Sequence, residues 1–163
     1  MYFNTSSILI YTHSYIKKIA FYDTIQHTHA CLGFVLRGVF LGTQAEINWF
    51  LNDMRRFFPE AWQKFVSAVS PSERSDLLAA FYRRLTSPSK PIAMQAAQAW
   101  AAYENSCATL AAVSREAGDR ALSLALLEAH YFLHDCFLPE NHILDHIKNL
   151  SHLPAFVVQG RHD

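Results

Sequence analysis

From Gln44 onward the apolar residues recur at three- and four-residue steps. Ile47, Phe50, Leu51, Met54 and Phe58 share one face, the spacing of an amphipathic helix. Pro59 ends that helix or opens the next, over 60–69. Ser70-Pro71-Ser72-Glu73 has the pattern of a helix start: a capping serine, a proline in the first turn and a glutamate completing a capping box. The helix it introduces carries Leu77, Leu78, Phe81, Tyr82 and Leu85. After a Pro/Ser loop at 87–91, the alanine-rich stretch 92–113 is strongly helix-forming. Gly118-Asp119 opens a helix to about residue 134, and Pro139-Glu140 opens a shorter one to about 150. Two stretches break this period. Residues 34–41, Phe-Val-Leu-Arg-Gly-Val-Phe-Leu, read as a strand, and so do the residues after Pro154. Residues 1–30, rich in Ser, Thr, Tyr and His, show no clear period. The order is strand, five or so helices, strand.

Composition narrows the function classes. With 51% hydrophobic residues in 163, the chain has enough apolar side chains for a core, which argues against disorder. Fourteen basic residues balance fourteen acidic ones, so no electrostatic footprint points to nucleic acid or to an anionic membrane surface. Cys31, Cys107 and Cys136 are odd in number and widely spaced, which suits free thiols in a reducing compartment. The run Ile8-Leu9-Ile10-Tyr11 is too short for a signal-peptide core or a membrane span. The default location is cytoplasmic.

The end of the chain carries the first chemical signal. Leu153-Pro154-Ala155-Phe156-Val157-Val158 followed by Gly160-Arg161-His162-Asp163 reads as a buried strand delivering a carboxylate at its carboxyl end. In α/β-hydrolases the acid of the Ser–Asp–His triad stands there, with the histidine later in the chain. Gly-x-x-Asp alone is also an ordinary chain segment. The glycines lie at 33, 38, 42, 118 and 160, and none brackets a serine as Gly-x-Ser-x-Gly, so the expectation is no nucleophile elbow and no downstream triad histidine.

Two glutamates lie in apolar helices. Trp100 precedes Glu104 by one turn, and Phe132 follows Glu128 by one turn. A desolvated carboxylate among aromatic rings binds an ammonium group through charge pairing with cation–π help; otherwise each is a solvated helix-face residue. His130/His134 and His142/His146, with Asp135 and Cys136 nearby, have the i,i+4 spacing that can chelate zinc. Nine histidines in the chain make chance pairs common. The aromatics Phe40, Trp49, Phe50, Phe57, Phe58 and Trp62 are core by default.

From about Cys31 onward the chain resembles proline iminopeptidase (prolyl aminopeptidase), an α/β-hydrolase family that removes N-terminal proline from peptides. The resemblance is carried in order by Leu36-Arg37-Gly38-Val39-Phe40, Glu46-Ile47-Asn48-Trp49-Phe50, Phe57-Phe58-Pro59-Glu60-Ala61-Trp62 and Tyr82-Arg83-Arg84-Leu85. It continues through Ala99-Trp100-Ala101-Ala102-Tyr103-Glu104, Glu128-Ala129-His130-Tyr131-Phe132 and Val158-Gln159-Gly160-Arg161-His162-Asp163. Tyr103 stands where the family's Trp-x-x-Trp-Glu has its second tryptophan, and His162 stands for the tyrosine of Gly-Arg-Tyr-Asp. The resemblance implies that Glu104 and Glu128 recognise the substrate ammonium, that Phe40, Phe50 and Phe132 form the proline pocket, and that Asp163 is the triad acid.

The expected fold is therefore mainly α: the helical cap of an α/β-hydrolase with two short strands of an incomplete sheet. The expected division is an unmatched segment at 1–30, a core strand at 31–43, a cap at 44–152 and a second core strand at 153–163. The resemblance implies a substrate peptide with N-terminal proline and no cofactor or metal, in a chain that lacks the serine and histidine for turnover. The rival readings are a non-catalytic helical module that binds a prolyl or ammonium ligand, and a zinc-binding helical domain.

Overall fold

The computed structural model describes residues 8–13, 16–108 and 118–160. The chain divides into two compact units: residues 1–43 with 138–163, and residues 44–137.

The first unit is built on a parallel sheet. Strand β1 (Ile8–His13), helix α1 (Ile16–Gln26) and strand β2 (Cys31–Arg37) follow one another, and strand β3 (Ala155–Val158) joins from the far end of the chain. β2 is central and pairs in parallel with β1 on one side and β3 on the other. Ile10 lies opposite Phe34, and Leu36 opposite Val157. Two strands were expected; the described residues form three. The added strand comes from Ile8-Leu9-Ile10-Tyr11, because parallel strands read as continuous apolar runs and show no alternation to recognise. Helix α1 lies in the stretch that shows no clear period. Of its positions from 21 on, Phe21 and Thr24 are buried and Ile25 is half-buried, a narrow stripe at 3–4 spacing.

The central strand starts and stops earlier than the expected 34–41. Gly38, at φ 60°, turns the chain out of the sheet. Val39 and Leu41 then pack as a loop against a core of Phe21, Cys31, Phe34, Leu36, Ile143 and Leu150. The rings of Phe21 and Phe34 lie 5.2 Å apart. Helix α7 (His142–His146) and the 3-10 turn Ile147–Leu150 supply Ile143 and Leu150. Residues 138–152, expected in the helical cap, thus group with the sheet. Gly33 sits where the β2 and β3 backbones converge. Phe34 N–H donates to Pro154 O at 2.9 Å, and a Cβ on Gly33 would stand 2.6 Å from that oxygen.

The second unit is helical: α2 (Gln44–Leu51), α3 (Pro59–Ser67), α4 (Leu77–Leu85), α5 (Lys90–Ala108) and α6 (Asp119–Leu133). Alanine decides how α5 and α6 pack. Ala93, Ala96 and Ala97 on α5 and Ala121, Ala125 and Ala129 on α6 are all buried. Small side chains at these spacings let the two helix backbones approach closely. Larger residues fill the remaining space: Phe65 stacks on Phe81 at 4.2 Å and on Tyr103 at 4.5 Å. The capping box is present but closes only a 3-10 turn, Pro71–Glu73. α4 starts later, at a second cap, where Asp76 accepts from Ala79 N–H at 3.0 Å. The two ends of the unit meet: Gln44 donates through its side chain to the carboxylate of Asp135. Beyond α6 the chain passes through Asp135, Cys136 and Phe137, all at positive φ (53°, 53° and 60°), a conformation that L-residues adopt only under surrounding constraint.

Two outcomes follow. Gly33→Ala pushes a carbon into a backbone oxygen that cannot swing aside; it is expected to destabilise the chain by about 1–3 kcal/mol, read as a lower urea midpoint, with loss of amide protection at Phe34. Glu73 accepts from Arg84 at 2.6 Å and Arg83 at 2.9 Å, and Ser70 Oγ also donates to it. The Arg84 bond first, then Ser70, lowers its pKa from 4.5 to about 2. A carboxylate with a lowered native pKa stabilises the fold above its unfolded pKa and loses that contribution as pH falls through the native value. The Tm gap between wild type and Glu73→Gln is expected to be constant above roughly pH 5 and to close as pH approaches about 2. A pH-independent gap would rule this out.

Candidate functional site

Three candidate residues of the helical unit, Phe50, Glu128 and Phe132, gather around a buried indole. Trp100, in the middle of α5, is fully buried. A buried indole N–H needs an acceptor, and Trp100 Nε1 donates to Glu128 Oε2 at 2.8 Å. Glu128 is on α6 and only 6% exposed. Both residues face the α5–α6 seam that the alanines bring together, so a carboxylate twenty-eight positions away along the chain, not Glu104 one turn on, is the partner of this indole.

Aromatic rings surround the pair. Phe50, at the end of α2, lies 5.7 Å from Trp100, 5.2 Å from Tyr103 and 6.2 Å from Phe132. Phe132, one turn past Glu128 on α6, is 6.2 Å from Trp100. Phe65 and Phe81 meet the indole edge-on at 5.8 and 5.5 Å. Tyr103 ties α2 to α5, since its hydroxyl donates to Phe50 O at 2.8 Å. Burial raises the Tyr103 pKa, so the phenol stays protonated as a donor. This strut was invisible in the sequence, where Tyr103 appeared only as a replacement for tryptophan.

Phe50, Phe132 and Glu128 thus lie in one cluster. Glu104 lies on α5 beyond Trp100 and is half-buried. Its charge helps to raise the Cys107 pKa to about 11, burial being the larger cause. Cys107 is a neutral thiol at physiological pH and a poor nucleophile. Phe40, half-buried in the loop after β2, belongs to the sheet unit. Asp163 lies outside the described residues.

The histidine pairs are engaged locally. The His130 and His134 rings lie 4.4 Å apart, and so do those of His142 and His146. His134 Nδ1 bonds to His130 O, and His146 Nδ1 to His142 O, each at 2.8 Å. Tyr82 OH bonds His130 Nδ1 at 3.2 Å. Among the described residues no three His, Cys, Asp or Glu side chains cluster as metal ligands, and no helix is long and apolar enough to cross a membrane.

No family model matches the chain. Individual proteins do. The chain is 38% identical to a probable proline iminopeptidase of Leptolyngbya boryana, over 84% of this chain and 45% of that protein. It is 35% identical to a proline iminopeptidase of Xylella fastidiosa, over 84% of this chain and 46% of that one. With a proline iminopeptidase of Arabidopsis thaliana it shares 33% identity over 95% of this chain and 43% of the other. The last match extends into residues 1–30, the segment expected to be unmatched. The chain is homologous to proline iminopeptidases and spans under half the length of these relatives.

Removing one partner of a buried hydrogen bond to a charge costs about 1–3 kcal/mol. Trp100→Phe is expected to lower unfolding free energy by that amount. Glu128→Gln, whose carbonyl can still accept from the indole, should cost less. Equal costs in chemical denaturation would show that the hydrogen bond is not what positions the carboxylate.

Proposed function

We propose that this chain is the substrate-recognising cap of a serine-type prolyl aminopeptidase with its flanking core strands, and that by itself it binds a prolyl N-terminus without cleaving it. The observation that carries this reading is Glu128, a carboxylate held in a nearly closed aromatic surround by Trp100. An N-terminal proline offers a secondary ammonium and a flat apolar ring. A carboxylate beside aromatic faces complements both, by charge pairing and ring contact. An interior peptide bond has no ammonium to offer, so this pairing selects aminopeptidase substrates. Glu104 is assigned as the second carboxylate for the ammonium, and Phe50 and Phe132 as walls for the ring.

In such hydrolysis a serine attacks the carbonyl of the proline, a histidine takes and returns the proton, and an aspartate orients the histidine. Asp163 is assigned as that acid by its position after β3. Chain order also brings a serine into consideration. Ser14 and Tyr15, outside the described residues, connect β1 to α1, and a strand–serine–helix order is that of a nucleophile elbow. The elbow needs small residues two positions either side of the serine; this chain has Thr12 and Ile16, both β-branched and poorly suited to a tight, strained turn. The homologues named proline iminopeptidase support the substrate class.

The purified chain is expected to show no turnover of a prolyl anilide above that of Ser14→Ala. Calorimetry with prolinamide should show binding that weakens by roughly ten- to a hundredfold in Glu128→Gln and in Glu104→Gln. Turnover abolished by Ser14→Ala or Asp163→Asn would overturn the inactivity. Absence of binding at millimolar prolinamide by the folded chain would overturn the ammonium site.

A further inference from the structure

The turn that ends α6 builds a surround for two imidazoles. His130 and His134 are one helical turn apart, on the same face. His130 is half-buried and His134 is exposed. The chain then runs through Asp135, Cys136 and Phe137 at positive φ. Phe137 N–H donates to His134 O at 2.8 Å, and its ring folds back on both histidines. It stacks on His134 at 5.3 Å and 8°, and lies 5.5 Å from His130. Tyr82 of α4 also stacks on His130, at 6.0 Å and 28°.

Hydrogen bonds decide which ring nitrogens are available. His134 Nδ1 bonds to His130 O at 2.8 Å. A carbonyl only accepts, so Nδ1 carries the hydrogen, and in the neutral ring Nε2 keeps its lone pair. His130 Nδ1 bonds the Tyr82 hydroxyl at 3.2 Å. That oxygen can accept from Nδ1–H and leave the same nitrogen of His130 for a ligand. A ring held by an oxygen at Nδ1–H, with Nε2 bare, is the arrangement of histidines at metal centres. The ring separation fits as well. An ion about 2.0–2.1 Å from each Nε2 stands roughly 3.2 Å from each ring centre, so a bite of about 90–110° parts the centres by about 4.5–5.2 Å. The His130 and His134 centres are 4.4 Å apart, close to the lower figure.

His142 and His146 have the same ring separation and the same bond from Nδ1 to the carbonyl four residues back. There the Nε2 of His142 is shut off from solvent, so an ion arriving with its water shell does not reach it. Spacing alone does not separate the two pairs; access to Nε2 does.

We infer that His130 and His134 bind a divalent transition-metal ion such as zinc through their Nε2 atoms, with water in the remaining positions. Imidazole suits such ions and not magnesium or calcium, which prefer oxygen ligands. Two protein ligands make this an exchangeable site. The bound ion bridges the last turn of α6, where the helix gives way to the left-handed turn. The inference is independent of the ammonium site and of catalysis.

The full 163-residue chain, without an affinity tag, is titrated with zinc chloride in a calorimeter. His130→Asn and His134→Asn are each expected to weaken zinc binding at least tenfold, and His146→Asn to leave it unchanged. Tyr82→Phe removes no ligand atom but frees the His130 ring, and should cost about tenfold. Magnesium chloride should give no binding. In imidazole 1H–15N spectra, zinc should shift Nε2 of two rings and leave their Nδ1–H in place. Those spectra of the wild-type chain decide the matter if an asparagine variant loses its helical circular dichroism. Shifts at Nδ1, in other rings, or in none overturn the inference. So do absence of binding at millimolar zinc, binding that survives both His130→Asn and His134→Asn, and binding lost in His146→Asn.

Discussion

The helical unit is organised around a carboxylate that ought not to be buried. Taking an ionised side chain out of water is costly unless hydrogen bonds replace the lost hydration. Glu128 meets that condition through the indole N–H of Trp100, which in turn would be an unsatisfied donor without it. Each polar group solves the other's problem, and only where α5 and α6 run close together. The alanines at 93, 96, 97, 121, 125 and 129 allow that approach. The rings of Phe50, Phe65, Phe81, Tyr103 and Phe132 then exclude water from around it.

Most helices were legible because their signals are local. Pro59 does start α3, and the 3–4 spacing of Leu77, Phe81 and Leu85 does mark a buried face. Elsewhere two local signals compete or none exists. Ser70-Pro71-Ser72-Glu73 is a sound capping box, but Asp76 is a cap too, and the helix obeys the second. Strand β1 contains a four-residue apolar run whose meaning comes from pairing with β2, more than twenty residues on. The same holds for the site. The sequence singled out Glu128, Phe50 and Phe132, yet it set Trp100 beside Glu104, its neighbour along the helix. Which carboxylate the indole reaches is a matter of how two helices face each other, and no spacing rule carries that.

The two units differ in how complete they are. In the helical unit the large aromatic side chains find partners, and Trp100, Tyr103, Phe65 and Phe81 are almost wholly buried. In the sheet unit a small core forms beneath β2 while β3 lies bare.

The bond between Gln44 and Asp135 clasps the helical unit where it departs and where it comes back. A segment whose two ends are fastened together is a closed loop, however much it contains, and the cost of closing a loop grows only slowly with its length. Helices could be added to or removed from such a loop without disturbing the strands that flank it. The clasp makes residues 44–137 a closed cassette, fastened by a side-chain bond between residues ninety-one positions apart.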